Sequence, residues 1–313
     1  MSYHIYFHND FDGRASAAVL LCFLGKKGDS VVGFHSMNFH LKPRWASFKF
    51  KQPAIIVDFI YHPKAEWWFD HHQTSFIRSS WERRFRQDKL HKWNPKYPSC
   101  ASLVLDSLKK DFSFKPPAHL KELAKWLDVI DAANFLSARQ AIEFKEPALK
   151  LMNFIDTAGR KGDSLAWLID LMSRYPLSRV IKDKRLRRSL RKLSKDKARA
   201  LAFYKKNLRV YRRIALIDLG TTNFIDFRFA AYYLKPKLLY NIIVKETKDG
   251  FKFSVGSNPW RRKEIKANIG RMLAKYDGGG HRLVGGVTIK KDKKLKEKII
   301  DGVINELNRL HEK

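Results

Sequence analysis

The sequence predicts a two-domain α/β protein, and three observations carry that prediction. Through the first half, short apolar strands alternate with helical patterns, the arrangement of a parallel sheet covered by helices. A second α/β unit begins near Ile214, and a strongly basic helical stretch joins the two. The chain has 313 residues, of which 44% are hydrophobic and 13% aromatic, enough to pack two cores of ordinary size.

In chain order, Tyr3–Phe7 reads as a buried strand and Arg14–Leu24 as the helix after it. Ser30–Phe34, Pro53–Phe59 and Glu66–Phe69 are the next strands. Helices are expected at Cys100–Lys109, His119–Ile130 and Glu146–Thr157. Arg78–Lys96 is basic and aromatic with few aliphatics, and reads as an irregular surface segment. From Lys182 to Arg213 there are fifteen Lys or Arg, opposed only by Asp183 and Asp196. Leu186, Leu190 and Leu193 are spaced for one helical stripe within that stretch, which suits a solvated linker and a polyanion contact equally. Ile214–Leu219, Leu239–Val244 and Phe251–Val255 read as strands, the last two joined by a hairpin turn at Lys248-Asp249-Gly250. Phe227–Leu234 and Ile265–Lys275 read as helices. A Gly-rich turn, Gly278–Gly280, leads to a strand at Val284–Ile289 and a closing helix at Lys294–Leu310. The expected division is residues 1–180, a basic helical linker over 181–213, and a smaller domain over 214–313.

The formal net charge is +32, from 63 Lys and Arg against 31 Asp and Glu. Such an excess is self-repulsive and implies a polyanionic partner: nucleic acid, polyphosphate or acidic lipid. Cys22 and Cys100 are the only cysteines, which excludes a disulfide framework or zinc cage and points to the reducing cytoplasm. The longest apolar stretch, Ala15–Leu24, falls short of the roughly 20 residues that span a bilayer. His4, His8, Asp10 and Asp12 interrupt any signal-peptide core.

Three acid- and His-rich clusters each follow an expected strand: His8-Asn9-Asp10-Phe11-Asp12-Gly13, Asp58, and Asp70-His71-His72. Ligand sites of open parallel sheets lie at the carboxyl ends of strands, so the three can converge on one crevice. Taken singly, Asp10 or Asp12 is an N-cap of the next helix, and a His-His pair is a surface coincidence. Together they form a donor set of carboxylates and imidazoles suited to Mn²⁺ or a similar divalent ion. So many carboxylates repel one another without cations, and two metals sharing a carboxylate relieve that repulsion.

These motifs resemble the DHH phosphoesterase superfamily. The resemblance rests on Phe69-Asp70-His71-His72 after a strand, the upstream His-x-Asp-x-Asp-Gly, and the isolated Asp58 between them. Asp277-Gly278-Gly279-Gly280-His281 followed by Gly285-Gly286 is similar to the GGGH motif of the associated DHHA1 domain. The likeness runs over nearly the whole chain. It implies that His8, Asp10, Asp12 and His71 are metal ligands, that Asp58 bridges two metals, and that His72 faces the substrate or assists proton transfer. Asp70 would orient the histidines. A fourth metal motif is represented by Asp131-Ala132-Ala133, preferred over Asp128 and Asp156. The glycines and His281 would clamp phosphate through an anion nest, with Arg261, preferred over Arg262, adding a guanidinium. A plain Gly-rich turn and a surface loop around a half-buried Trp260 are the alternatives. Asp277 and the Arg282-Leu283-Val284 stretch depart from the family pattern.

The expected activity is hydrolysis of short oligonucleotides or small nucleotide phosphodiesters with two divalent ions, Mn²⁺ foremost and Mg²⁺ or Co²⁺ as substitutes. Exopolyphosphatase, single-strand exonuclease and non-catalytic nucleic-acid binder are the alternatives. A binder has no use for carboxylates that repel phosphate unless metals are bound.

Overall fold

The structure, a computed structural model, describes residues 1–158, 166–222 and 227–312. Met1–Asn134 with Lys145–Leu190 make one compact unit, and Phe135–Phe144 with Arg191–Lys313 a second. The division falls inside the basic helix and gives residues 135–144 to the second unit.

The first unit opens with β1 (Ser2–His8), α1 (Phe11–Lys26), β2 (Ser30–Met37), β3 (Ala54–Val57), β4 (Trp67–Asp70), α2 (Ser79–Arg84) and β5 (His91–Trp93). The five strands are all parallel, in the order β2-β1-β3-β4-β5. Because side chains alternate across a strand, Ile5, Phe7, Ile55, Val57, Trp67 and Phe69 face one side. There they meet α1, α3 (Cys100–Phe112), α4 (Ala118–Asp131) and later helices. Tyr6, Ile56 and Trp68 face the other side, which is covered by Trp45, Phe59 and further aromatics in place of long helices. The buried indoles there are satisfied, Trp45 Nε1 donating to the Tyr61 carbonyl (3.0 Å) and Trp68 Nε1 to that of Phe59 (2.8 Å).

Three features of this unit differ from the sequence reading. A 3₁₀ helix over Phe39–Ser47, with Pro43 inside it, follows β2. The third strand ends at Val57, because Asp58 turns into the left-handed region at φ 56°. Arg78–Lys96 is not irregular throughout: it holds α2 and β5, the latter pairing from Trp68↔His91 to Asp70↔Trp93. A three-residue strand is too short to show period-two patterning, and its partner lies far off in sequence.

The remaining helices are α5 (Ala138–Glu143), α6 (Pro147–Ala158), α7 (Ala166–Arg174), α8 (Leu177–Val180) and the basic α9 (Lys184–Asn207). Leu186 is buried in the first unit's core and Leu190 packs against it, while Leu193, Ala200 and Tyr204 are buried further along the same helix.

The second unit's six-stranded sheet contains β6 (Arg209–Tyr211), β7 (Ile214–Asp218), β8 (Tyr240–Glu246), β9 (Gly250–Ser257), β10 (Gly279–Gly280) and β11 (Val284–Lys290). Its order is β10-β11-β9-β8-β7-β6, with only β7 and β8 parallel. The short helix α10 (Ala230–Leu234), α11 (Ile269–Ala274) and α12 (Lys293–Arg309) complete it. Asn268 caps α11 through the Arg271 amide, which is why that helix starts after the predicted Ile265. β6 lies within the stretch expected to be basic linker. Among the described residues no helix is long and apolar enough to cross a membrane.

Candidate metal centre

In a parallel sheet ordered 2-1-3, the order in which strands are added reverses between β1 and β3, and a crevice opens at their carboxyl ends. His8 ends β1, Asp58 directly follows β3, and Asp70 ends β4. Asp10 and Asp12 lie at the start of α1, and Asp131 is the last residue of α4. Residues distant in sequence thus share one edge.

His8 Nδ1 lies 2.7 Å from Asp10 Oδ2 and 3.6 Å from Asp58 Oδ2. His71 Nε2 lies 3.5 Å from Asp58 Oδ1, 3.6 Å from Asp12 Oδ2 and 3.4 Å from Asp131 Oδ2. His72 Nδ1 is 3.7 Å from Asp58 Oδ1. These are close approaches without hydrogen-bond geometry: His8 Nδ1, His71 Nε2 and both Asp58 oxygens are buried and lack a hydrogen-bond partner. Buried polar atoms left so are costly unless a cation satisfies them. Octahedral donors about 2.1 Å from an ion sit roughly 3 Å from one another, so separations of this size are what a metal's donor set shows. Three groups place one donor atom from each residue within 4.8 Å of one another: His8-Asp10-Asp58, Asp58-His71-His72, and Asp12-His71-Asp131. Asp58 offers one oxygen towards His8 and the other towards His71, the arrangement a bridging carboxylate requires.

The surroundings fix these donors. Asp10 Oδ1 accepts from the Gly13 amide (2.9 Å), so the residue is an N-cap and still presents its second oxygen to His8. Asp12 accepts from the Cys100 and Ala101 amides (2.6 and 3.0 Å), tying α3 to α1. His71 Nδ1 is bonded to the Tyr97 carbonyl at 3.0 Å, which aims Nε2 at the carboxylates. Asp70 Oδ1 accepts from the His71 amide (2.9 Å) and from His72 Nδ1 (2.8 Å), and its Oδ2 from Ser75 Oγ (2.5 Å). Asp128 instead accepts from Ser99 Oγ at 2.6 Å, and Asp156 is exposed on α6, so Asp131 is the one of the three brought to the cluster. Tyr97, Ser75 and the fully buried Arg14, whose Nη1 donates to the Asp10 carbonyl at 3.0 Å, were not singled out from sequence. A contact made through a backbone carbonyl, as at Tyr97, leaves no side-chain signal to read.

In the second unit, Asp277 takes a positive φ of 60° and Gly279–Gly280 pair with Gly286 and Gly285 as a short antiparallel ladder. The Gly278 amide donates to the Leu273 carbonyl (3.0 Å) and the His281 amide to that of Val284 (2.7 Å). Those two amides are therefore spent inside the fold, so of the three glycines Gly278 does not offer its N–H to an anion. Arg261 is paired twice to Glu264, at 2.5 and 2.8 Å, and Glu264 also holds Arg213. Trp260 Nε1 donates to the Phe135 carbonyl (2.8 Å), so the indole is anchored and half-buried.

No family model matches the sequence, and no curated protein matches it. Solved structures do. A pGpG-specific phosphodiesterase, PggH, from Vibrio cholerae superposes with a TM-score of 0.77 at 19% identity, over 98% of this chain and 99% of that one. The chain has the DHH/DHHA1 fold. RecJ in complex with Mn²⁺ from Thermus thermophilus superposes with a TM-score of 0.60 at 15% identity, over 98% of this chain and 52% of RecJ. An exopolyphosphatase-related protein from Bacteroides fragilis gives 0.54 at 16%, over 100% and 94%.

Within the first unit the electrostatics follow from crowding five carboxylates around three imidazoles. Burial disfavours a charged His8, but Asp10 and Asp58 outweigh it and raise its pKa to about 11. His71, likewise opposed by burial, is raised to about 10 by Asp58 and Asp12, and His72 to about 9 by Asp70 and Asp58. Burial and the neighbouring Asp58 charge push Asp131 up to about 6 and Asp12 well above the carboxylate range. Burial would raise Asp58 too, yet the adjacent His71 and His8 hold it below that range. In the metal-free protein, protonated imidazoles are the counterions. An imidazole ligand must be neutral, so an ion held by His8 and His71 would displace their protons. Titration with Mn²⁺ at pH 8 is expected to release about two protons per protein, and affinity to rise with pH up to about 11. Calorimetry in buffers of different ionisation enthalpy measures this; binding without proton release would exclude both imidazoles as ligands.

Asp70→Asn tests the orienting contact separately. It keeps the volume but removes the charge that holds His72 Nδ1–H, and is expected to reduce turnover about 10–100-fold while Mn²⁺ still binds.

Proposed function

We propose that the chain is a phosphoesterase that uses two divalent ions, Mn²⁺ foremost, to hydrolyse short oligonucleotides or small nucleotide phosphodiesters. The observation that carries this reading is Asp58. It is buried at the β1/β3 switch point, with its two unsatisfied oxygens turned towards two different imidazole-carboxylate groups. His8, Asp10, Asp12, Asp58, His71 and Asp131 would hold the ions. Bound there, they would activate a water as nucleophile at neutral pH and neutralise charge developing on the phosphoryl oxygens. His72, gripped at Nδ1 by Asp70 and one-third exposed, is left to present Nε2 to a substrate oxygen or leaving group. His281 and Arg261 remain candidate phosphate contacts, with Gly278, Gly279 and Gly280 shaping the turn before His281. Arg261 would have to share its guanidinium with Glu264.

Net charge of +32 suits a polyanionic substrate, and the fold shared with a pGpG-specific phosphodiesterase over the whole of both chains supports a short nucleotide one. RecJ bound to Mn²⁺ on the same fold supports the choice of ion. The test is turnover of di- and trinucleotides, longer single strands, cyclic dinucleotides and polyphosphate, each with Mn²⁺, with mononucleotide release as the expected product. A metal-loaded protein that turns over none of them overturns the enzyme reading. Phosphate release from polyphosphate alone replaces it with exopolyphosphatase.

A further inference from the structure

Phe39 opens the 3₁₀ helix that follows β2, and 45% of its surface is exposed. Its neighbours set it apart from other exposed apolar side chains. Its ring centroid is 4.8 Å from that of His8 at 60° and 6.2 Å from that of His72 at 82°, while the buried Phe59 ring lies 5.2 Å away. The phenyl is thus braced against a second aromatic ring and stands edge-to-face with two imidazoles of the metal centre. A ring left in water beside a phosphate-processing site forgoes the stabilisation of burial. Inorganic polyphosphate, which has no apolar surface, cannot recover it. The exposed Lys42 and Arg44 of the same short helix serve any polyanion, whereas Phe39 serves only a substrate with a flat apolar group next to the phosphate. Nucleobases all have such a face, and stacking of a base on an aromatic side chain is a strong, sequence-tolerant contact.

We propose that Phe39 is the stacking platform for the nucleobase adjoining the scissile phosphate, so that this ring selects nucleotide esters over inorganic polyphosphate. The assignment rests on the phosphoesterase reading above and adds its specificity element. It predicts non-additivity between ring and base. On a dinucleotide, Phe39→Ala raises KM about 10-fold or more with little change in kcat, and Phe39→Trp restores it. On dinucleotides made abasic at one end or the other, wild type falls towards the level of the Ala variant for one of the two. A dinucleotide carrying 2-aminopurine gives a readout independent of turnover: its fluorescence is quenched on binding to wild type and Phe39→Trp, and not on binding to Phe39→Ala. Equal losses on intact and abasic substrates, unchanged KM, or quenching that survives Phe39→Ala each overturn the stacking role while leaving the phosphoesterase standing. Absence of turnover by wild type sinks the phosphoesterase instead, and the quenching then decides the role of Phe39 alone.

Discussion

Asp58→Asn lowers kcat/KM by ~10³-fold or more, equivalent to at least ~4 kcal/mol of transition-state stabilisation. The reason is that one side chain serves two donor groups: Oδ2 faces His8 and Oδ1 faces His71. Asparagine keeps the shape but removes the charge and replaces one acceptor with an amide donor, so it could no longer serve both donor groups of the proposed ions. Asn is also the clean variant at this position. The backbone at residue 58 has φ 56°, a conformation that Asp and Asn tolerate better than other non-glycine residues, so Asp58→Ala would mix strain with loss of the ligand. A second, metal-free readout follows from the same contacts. With the central charge gone, the pKa values of His8, His71 and His72, held at about 11, 10 and 9, fall together. NMR titration of the imidazoles measures this. Retained activity with normal metal stoichiometry would remove Asp58 from the centre of the site.

How far such a site can be read from sequence depends on where each residue's signal comes from. His8, Asp58 and Asp70 were legible because each ends an apolar run, where an acid or imidazole is placed at the carboxyl edge of the sheet. Asp131 required a choice against Asp128, three residues earlier on the same helix. Packing separates the two: Asp128 is taken up by Ser99, while the last turn of α4 brings Asp131 to His71. Asp10 has the N-cap contact expected of it, with one oxygen capping α1, while its other oxygen faces His8. The Gly-rich turn was read as an anion nest or a plain turn, and the Gly278 amide closes onto Leu273 while that of His281, just after the glycines, closes onto Val284. Glycines permit a conformation without stating which partner satisfies it. β5 and Phe39 were illegible for another reason. A three-residue strand and a single exposed ring acquire meaning only from neighbours brought in by the fold, Asp70↔Trp93 in one case and the two imidazoles in the other.

The fold and the metal centre meet most tightly at Gly13. A Cβ on this residue would lie 2.2 Å from the His8 carbonyl oxygen and within 2.9 Å of the His8 nitrogen and carbonyl carbon, all of them backbone atoms. That backbone cannot retreat, because β1 is paired on both sides, His8 with Met37 and Phe7 with Val57. Nor can α1 withdraw freely, since Asp12 and Arg14 beside Gly13 are buried and Asp12 is bonded to the first amides of α3. Gly13→Ala is therefore expected to cost ~3 kcal/mol or more of stability and to abolish the binding of at least one metal ion, because His8, Asp10 and Asp12 move with the turn. Gly25→Ala, in the same helix, is the control. Its added Cβ meets nothing within 4 Å, so replacing a helical glycine there stabilises by ~0.5–1 kcal/mol through the unfolded chain alone. Denaturant unfolding with and without Mn²⁺ distinguishes the two. Opposite signs are expected, with the Mn²⁺-induced increment lost in the first variant and intact in the second. Equal stabilities would mean that the contact of α1 with β1 is slack, and a slack contact could not hold His8 and Asp10 in position for one ion.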